Sequence, residues 1–197
     1  MKKILFIRHG YLEGKYADYS QLNFNDFENL LLKKVTPHVN KKLTKKKLMK
    51  KKLLVDFIFC SSESRAIETA QIIKEISGSD FEISSLLDEI FFLKGIIEEK
   101  DITNFSDLRR IILTNLFNSN YSEDFNAVKK RVLLFLDYVK ELPHTTILCV
   151  THGWFMRLIY IYSVKNSLEK VSLKELLDAR VPDFLDVIEV NFGARYF

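Results

Sequence analysis

The sequence predicts an α/β fold, a three-layer sandwich with a mostly parallel central sheet flanked by helices. Three observations carry this. The segments Lys3–Arg8, 55–60 and 145–150 are short and rich in apolar residues, which suits strands buried on both faces. Helix-like runs alternate with them, the order that yields right-handed crossovers and a parallel sheet. The first and third of these segments lead into His9-Gly10 and His152-Gly153. In neighbouring parallel strands both imidazoles then lie at the carboxyl edge, where open α/β sheets bind ligands.

The 197 residues suit one compact domain spanning 1–197. Six glycines and three prolines leave little material for disordered linkers. A net charge of +4 suits a small anionic substrate and does not call for nucleic acid. The apolar start is too short for a signal peptide, and no run approaches the length of a membrane span. Cys60 and Cys149 sit in apolar segments and read as buried free thiols. A cytoplasmic protein with no membrane partner is the expectation.

The elements follow in order. Lys3–Arg8 is nearly all Ile, Leu and Phe. Phe24, Phe27 and Leu30 to Leu32 predict a helix of about three turns, with a break at Pro37. Residues 41–52 contain eight lysines and predict a short helix capped by Thr44, with Leu48, Met49 and Leu53 inward. The alternative, a nucleic-acid or membrane patch, is weakened because the run has no aromatic residue.

After the strand at 55–60, Ser61-Ser62 offers a cap for a helix over 63–76, with Ala66, Ile67, Ala70, Ile73 and Ile76 on one face. Ser77-Gly78 ends it. A short strand at 81–85 and an irregular apolar stretch at 86–97 follow. Helices are predicted at 105–117 and 123–142, the second capped by Ser122 with Glu123 and Asp124 in its first turn. Pro143 closes it. A helix at 154–163 follows the second His-Gly, Ser172 to Glu175 form a capping box, and 186–192 alternates like an edge strand.

Certain side chains suggest chemistry. Arg8 offers a planar fork of donors suited to phosphate. A neutral His9 can attack phosphorus and form a covalent intermediate. Gly10 permits close backbone approach. Arg65 falls in the first turn of a helix, where a cation is unfavourable unless an anion joins it. His152 can donate to phosphoryl oxygens. Phosphoryl transfer spreads charge over those oxygens, so positioned donors do most of the work.

A leaving alkoxide needs a proton. Glu89 is the candidate donor and Asp88 the competing choice. Each group has an ordinary alternative when taken singly: a surface pair, a solvated arginine, a satisfied loop histidine or a surface acid. Neither a His-Glu-x-x-His pair nor a Cys/His cluster points to zinc. No metal and no cofactor are expected.

Together these segments resemble the histidine phosphatase superfamily, also called the phosphoglycerate mutase-like family. Arg8-His9-Gly10 is similar to its signature. Ser61-Ser62-Glu63-Ser64-Arg65-Ala66-Ile67-Glu68-Thr69-Ala70 resembles its serine-led helix carrying Arg-Ala and Thr-Ala. Leu87-Asp88-Glu89-Ile90 looks like its acidic segment, and Val150-Thr151-His152-Gly153 with Met156-Arg157 like its second histidine motif. Leu43-Thr44 resembles a Leu-Thr that opens a helix after the first loop.

The resemblance implies that His9 is the nucleophile, that Arg8, Arg65 and His152 hold the phosphoryl oxygens, and that Glu89 protonates the leaving group. It also implies that no metal takes part. The chain departs from the family after Gly10. Tyr11-Leu12-Glu13-Gly14-Lys15 stands where a polar pair and a phosphate-contacting asparagine are usual, so Lys15 is the expected substitute. Phe91-Phe92-Leu93-Lys94-Gly95 replaces a Gly-x-Trp-Glu-Gly segment. Phe91, Phe92 and Phe105 read as core packing, with a ligand wall as the alternative.

The chain lacks the longer insertions of glycolytic mutases, which favours phosphomonoester hydrolysis on a small metabolite or phosphoprotein. A non-catalytic phosphate-binding module and a phosphoglycerate mutase are the alternatives.

Overall fold

The computed structural model describes residues 2–93, 105–120, 122–180 and 182–192. Among them, β1 (Lys3–Arg8), β2 (Phe57–Cys60), β3 (Phe81–Ile83), β4 (Thr146–Thr151) and β5 (Val187–Asn191) form one sheet in the order β3-β2-β4-β1-β5. All neighbours pair in parallel except β5, an antiparallel edge strand on β1. The α/β sandwich with a mostly parallel sheet is therefore the fold.

The helices are α1 (Phe24–Leu31), α2 (Lys41–Lys51), α3 (Ser64–Ser77), α4 (Phe105–Phe117), α5 (Phe125–Glu141), α6 (Gly153–Lys165) and α7 (Leu173–Asp178). Alternation along β1 explains its unbroken apolar run. Ile4 and Phe6 enter the core built with α5 and α6, whereas Leu5 and Ile7 enter the core built with α2 and α3. All four are buried, each contributing about 1.5–3 kcal/mol of transfer free energy.

Register places the site. Arg8 pairs with Thr151, so His9 and His152 each follow the last paired residue of adjacent parallel strands. The His9 amide donates to the Thr151 carbonyl at 2.9 Å.

Several helix starts differ from the sequence reading. Asn40 caps α2, its Oδ1 accepting from the Leu43 amide at 3.0 Å. Thr44 lies inside that helix and is fully buried. Leu48 points inward, but Met49 is 61% exposed. The residue preceding α3 is Glu63, because Ser61 and Ser62 are engaged by Asp88. In the last turn of α3, Ile76 is 39% exposed.

Asp124 caps α5 by accepting from the Ala127 amide at 2.8 Å, while Glu123 pairs with Arg131. Helix α1 has eight residues rather than three full turns, and the chain turns at Lys33, whose φ is 55°. The capping box of Ser172 and Glu175 is present. The predicted irregular stretch opens with a short 3₁₀ turn at Ser85–Leu87. Its end at 94–97 lies outside the described residues, as does the Phe105 side chain.

Candidate active site

The turn after β1 is clamped by two threonines. The Gly10 amide donates to Thr69 Oγ1 at 2.8 Å, and the Tyr11 amide donates to Thr44 Oγ1 at 3.1 Å. The Thr69 hydroxyl donates in turn to the Arg65 carbonyl at 2.7 Å. A Cβ on Gly10 would lie 2.5 Å from both Cγ2 and Oγ1 of Thr44. Glycine is needed here for close approach.

His9 is buried, with its Nδ1 3.1 Å from the Gly10 carbonyl. That contact assigns the proton to Nδ1 and leaves the Nε2 lone pair available. Burial first, then the charges of Arg65, His152 and Arg8, hold its pKa well below the ordinary 6.5. The ring is therefore neutral near pH 7.

Arg8 Nη1 donates to the Pro182 carbonyl at 2.7 Å, and its Nε is buried without a partner. Its guanidinium lies 4.4 Å from the centre of the Phe184 ring and 5.4 Å from that of Tyr19. Phe184 also flanks His9, with ring centres 5.5 Å apart.

The second histidine is held more tightly than the sequence reading suggests. Arg65 Nε donates to His152 Nδ1 at 3.2 Å, which assigns the proton to Nε2. Nε2 faces Ser61 Oγ at 2.8 Å, and the Ser61 hydroxyl donates to Asp88 at 2.7 Å. Both ring nitrogens of His152 thus have protein partners. Burial, followed by Arg65, Lys33 and Arg8, pushes its pKa well below the ordinary range.

The two neighbouring acids divide their work. Asp88 accepts from the Ser61 hydroxyl and from the amide and hydroxyl of Ser62, each at 2.7 Å. Glu89 instead sits at the N-terminus of α6, accepting from the Trp154 amide at 3.1 Å and the Phe155 amide at 2.9 Å. Those bonds favour its ionised form. Burial and the adjacent Glu63 charge outweigh them and raise its pKa above the ordinary 4.5.

Arg8, His9, Arg65 and Glu89 line one cavity, together with apolar Phe27, Ile90, Phe92 and Trp154. His152 stands beside it, its ring centre 5.3 Å from that of His9. Lys15 does not line the cavity. Its side chain is exposed and pairs with Asp26, so it does not take the place of a phosphate-contacting asparagine. Lys33, at the end of α1, lines the cavity instead and bonds Glu63 at 2.8 Å.

Phe92 serves both the core and the cavity wall, whereas Phe91 is 46% exposed. Sequence reasoning missed Lys33, Glu63, Ser61 and Phe184. Only Ser61 and Glu63 had a signal, their place within three residues of a helix start at a strand's carboxyl end. Among the described residues, no group of three or more His, Cys, Asp or Glu side chains is placed to hold a metal ion. No described helix is long and apolar enough to cross a membrane.

Residues 4–181 match the family model for the histidine phosphatase superfamily (branch 1). No curated protein matches the chain. Among solved structures, the alpha-ribazole phosphatase from Shigella flexneri is similar at a TM-score of 0.63 and 17% identity, covering 98% of this chain and 91% of that one. A phosphoserine phosphatase mutant from Entamoeba histolytica, in complex with phosphoserine, is similar at 0.61 and 18% identity, covering 98% and 92%. A mycobacterial glucosyl-3-phosphoglycerate phosphatase with inorganic phosphate is similar at 0.63 and 14% identity, covering 96% and 89%. These likenesses establish the shared fold.

Proposed function

This chain belongs to the histidine phosphatase superfamily, and from that premise we propose that it hydrolyses phosphomonoesters through a phosphohistidine at His9. The substrate class is a small phosphorylated metabolite or a phosphoprotein. One observation carries the reading. A neutral His9 with a free Nε2 and a Glu89 disposed to keep its proton line the same cavity as Arg8 and Arg65.

In the first step the Nε2 lone pair attacks phosphorus and the bond to the leaving oxygen breaks. Glu89 gives its proton to that oxygen. In the second step water attacks the phosphohistidine, the P–N bond breaks, and Glu89 takes up the proton released from the water. His9 returns to its neutral form and inorganic phosphate leaves. Arg8 and Arg65 stabilise the charge on the phosphoryl oxygens. His152 joins them by exchanging its Ser61 partner for a phosphoryl oxygen. No step in this scheme calls on a metal or a cofactor.

A second reading, a non-catalytic phosphate-binding module, draws support from one fact. In the resting site Arg65 is already paired with Glu63, and both nitrogens of His152 are engaged. The deciding experiment is phosphate release from para-nitrophenyl phosphate in the presence of chelator. Turnover by the wild type, lowered on the order of 10³-fold or more in His9→Ala, is the expected result. Equal rates in the two proteins would sink the proposal. Tight phosphate binding without hydrolysis across a metabolite panel would favour the binding module. Interconversion of phosphoglycerates without net phosphate release would identify a mutase.

A further inference from the structure

Glu63 is a carboxylate set inside a site built for an anion. It precedes α3 at the N-cap position, yet its side chain makes no capping bond. It turns instead toward Arg65, His152 and Lys33, groups that a phosphoryl oxygen would need. Its Oε2 lies 2.5 Å from Arg65 Nη2 and 3.9 Å from His152 Nδ1. Its Oε1 bonds Lys33 Nζ at 2.8 Å and accepts from the Glu89 amide at 3.3 Å. The side chain is only 13% exposed, so these are sheltered ionic contacts.

We propose that Glu63 is an internal competitor for the substrate anion, a residue that occupies Arg65 in the resting site and withdraws onto Lys33 when a phosphoryl group enters. The inference rests on reading Arg65 as a phosphoryl-binding group. Lys33 then has a defined job. It keeps Glu63 neutralised after Arg65 turns to the substrate, so that the carboxylate is not left buried with an unpaired charge. The arrangement weakens binding of every phosphate-bearing ligand, a uniform effect that raises KM and leaves kcat unchanged.

Glu63 also acts on the proton donor. Its charge is the second cause, after burial, that raises the Glu89 pKa. Of the other charged groups near Glu89, Arg65 from α3, Lys33 from the end of α1 and Arg157 from α6 favour its ionised form, while the Asp88 carboxylate is turned away onto Ser61 and Ser62. Arg131 from α5 bonds the adjacent Asp88 carbonyl at 2.7 Å and acts in the same direction. His152 is neutral. Glu63 is the carboxylate whose charge, after burial, helps Glu89 keep its proton.

The test is calorimetric titration of inorganic phosphate and of orthovanadate into the wild type, Glu63→Gln and Lys33→Met, none of which needs turnover. Glu63→Gln should bind phosphate on the order of tenfold tighter, because Arg65 no longer has to break a bond to a charged group. Lys33→Met should bind it more weakly, because Glu63 then rests wholly on Arg65. The alkaline limb of the kcat/KM profile should move to lower pH in Glu63→Gln, since Glu89 loses the charge that helps it stay protonated.

Unchanged or weaker phosphate binding by Glu63→Gln would overturn the proposal, and so would an unmoved alkaline limb. If Glu63→Gln does not fold, Glu63→Asp replaces it. That side chain keeps the charge but falls one methylene short of Arg65, and it too must tighten phosphate binding for the proposal to stand. Failure of the hydrolytic reading shows separately, as absence of turnover in a wild type whose phosphate affinity still responds to Glu63.

Discussion

Replacing Gly10 by alanine tests the geometry that presents the nucleophile. The new methyl would lie 2.5 Å from Thr44 Cγ2 and Oγ1, against an ordinary contact limit of 3.4 Å. One side must therefore give way by about 0.9 Å. Thr44 cannot easily do so, because it is fully buried within α2 and its hydroxyl accepts from the Tyr11 amide. Overpacking of this kind costs about 1–3 kcal/mol. At roughly 2–4 °C per kcal/mol for a chain of this size, Gly10→Ala should melt about 2–12 °C lower.

If the turn moves instead, His9 moves with it, and a displacement of about 1 Å costs on the order of 10²-fold in rate. The assay pairs thermal unfolding with hydrolysis of para-nitrophenyl phosphate, and adds Thr44→Ala and the double variant. Thr44→Ala removes both clashing atoms and loses one amide partner, a cost of about 1 kcal/mol. The double variant should then be less impaired than the sum of the singles. A Gly10→Ala protein with the wild-type melting temperature and rate would refute the argument, as would simple additivity.

Three further outcomes follow from the same site. His9 and His152 both have depressed pKa values, so their contribution to stability is full above about pH 6.5 and is lost as pH falls below it. Glu89, with a raised pKa, opposes this over a window that opens upward from 4.5. The two histidines therefore make urea midpoints fall on acidification below 6.5, with Glu89 reducing the fall, and a flat profile in a Glu89→Gln protein would contradict the assignment. The kcat/KM profile should be a bell with its acid limb, from His9, below 6.5 and its alkaline limb, from Glu89, above 4.5. Ser61→Ala should lower stability by about 1–3 kcal/mol, because it strands the buried Nε2–H of His152. An unchanged denaturant midpoint would show that His152 finds another partner.

The sheet was legible in the sequence because buried parallel strands are apolar on both faces, and β1 and β4 stand out by composition alone. The residues at their carboxyl ends were legible for the same reason, since strand ends fix position in space. Helix starts were read less well. Thr44, Ser61 and Ser122 all look like caps, but a small hydroxyl also suits a tertiary clamp, and local sequence does not distinguish the two uses. Thr44 holds the nucleophile turn and Ser61 holds His152, while Asn40 and Asp124 supply caps.

Lys15 and Lys33 illustrate the harder limit. Nothing within either local sequence says which lysine faces the cavity. The answer depends on the left-handed turn at Lys33 and on Asp26 lying within reach of Lys15.

Charge at the phosphoryl end links these particulars. Arg8, Arg65 and Lys33 bring three positive charges, and Glu63 cancels one of them. With both histidines neutral and Glu89 protonated, these four groups sum to about +2, and Arg109 and Arg157 line the same cavity, so the site is cationic and suits a phosphate dianion. Ionisation of Glu89 would set two anions side by side. Entry of the dianion therefore strengthens the hold of Glu89 on its proton at the moment the leaving oxygen needs it. By linkage, protonation of Glu89 must strengthen dianion binding by the same factor. Glu63 acts on both sides of this balance, since it weakens the anion's claim on Arg65 and supports the proton on Glu89. A neutral side chain at position 63 would tighten the ground-state complex while making the acid easier to ionise. The site as built sacrifices affinity for phosphate and retains its proton donor.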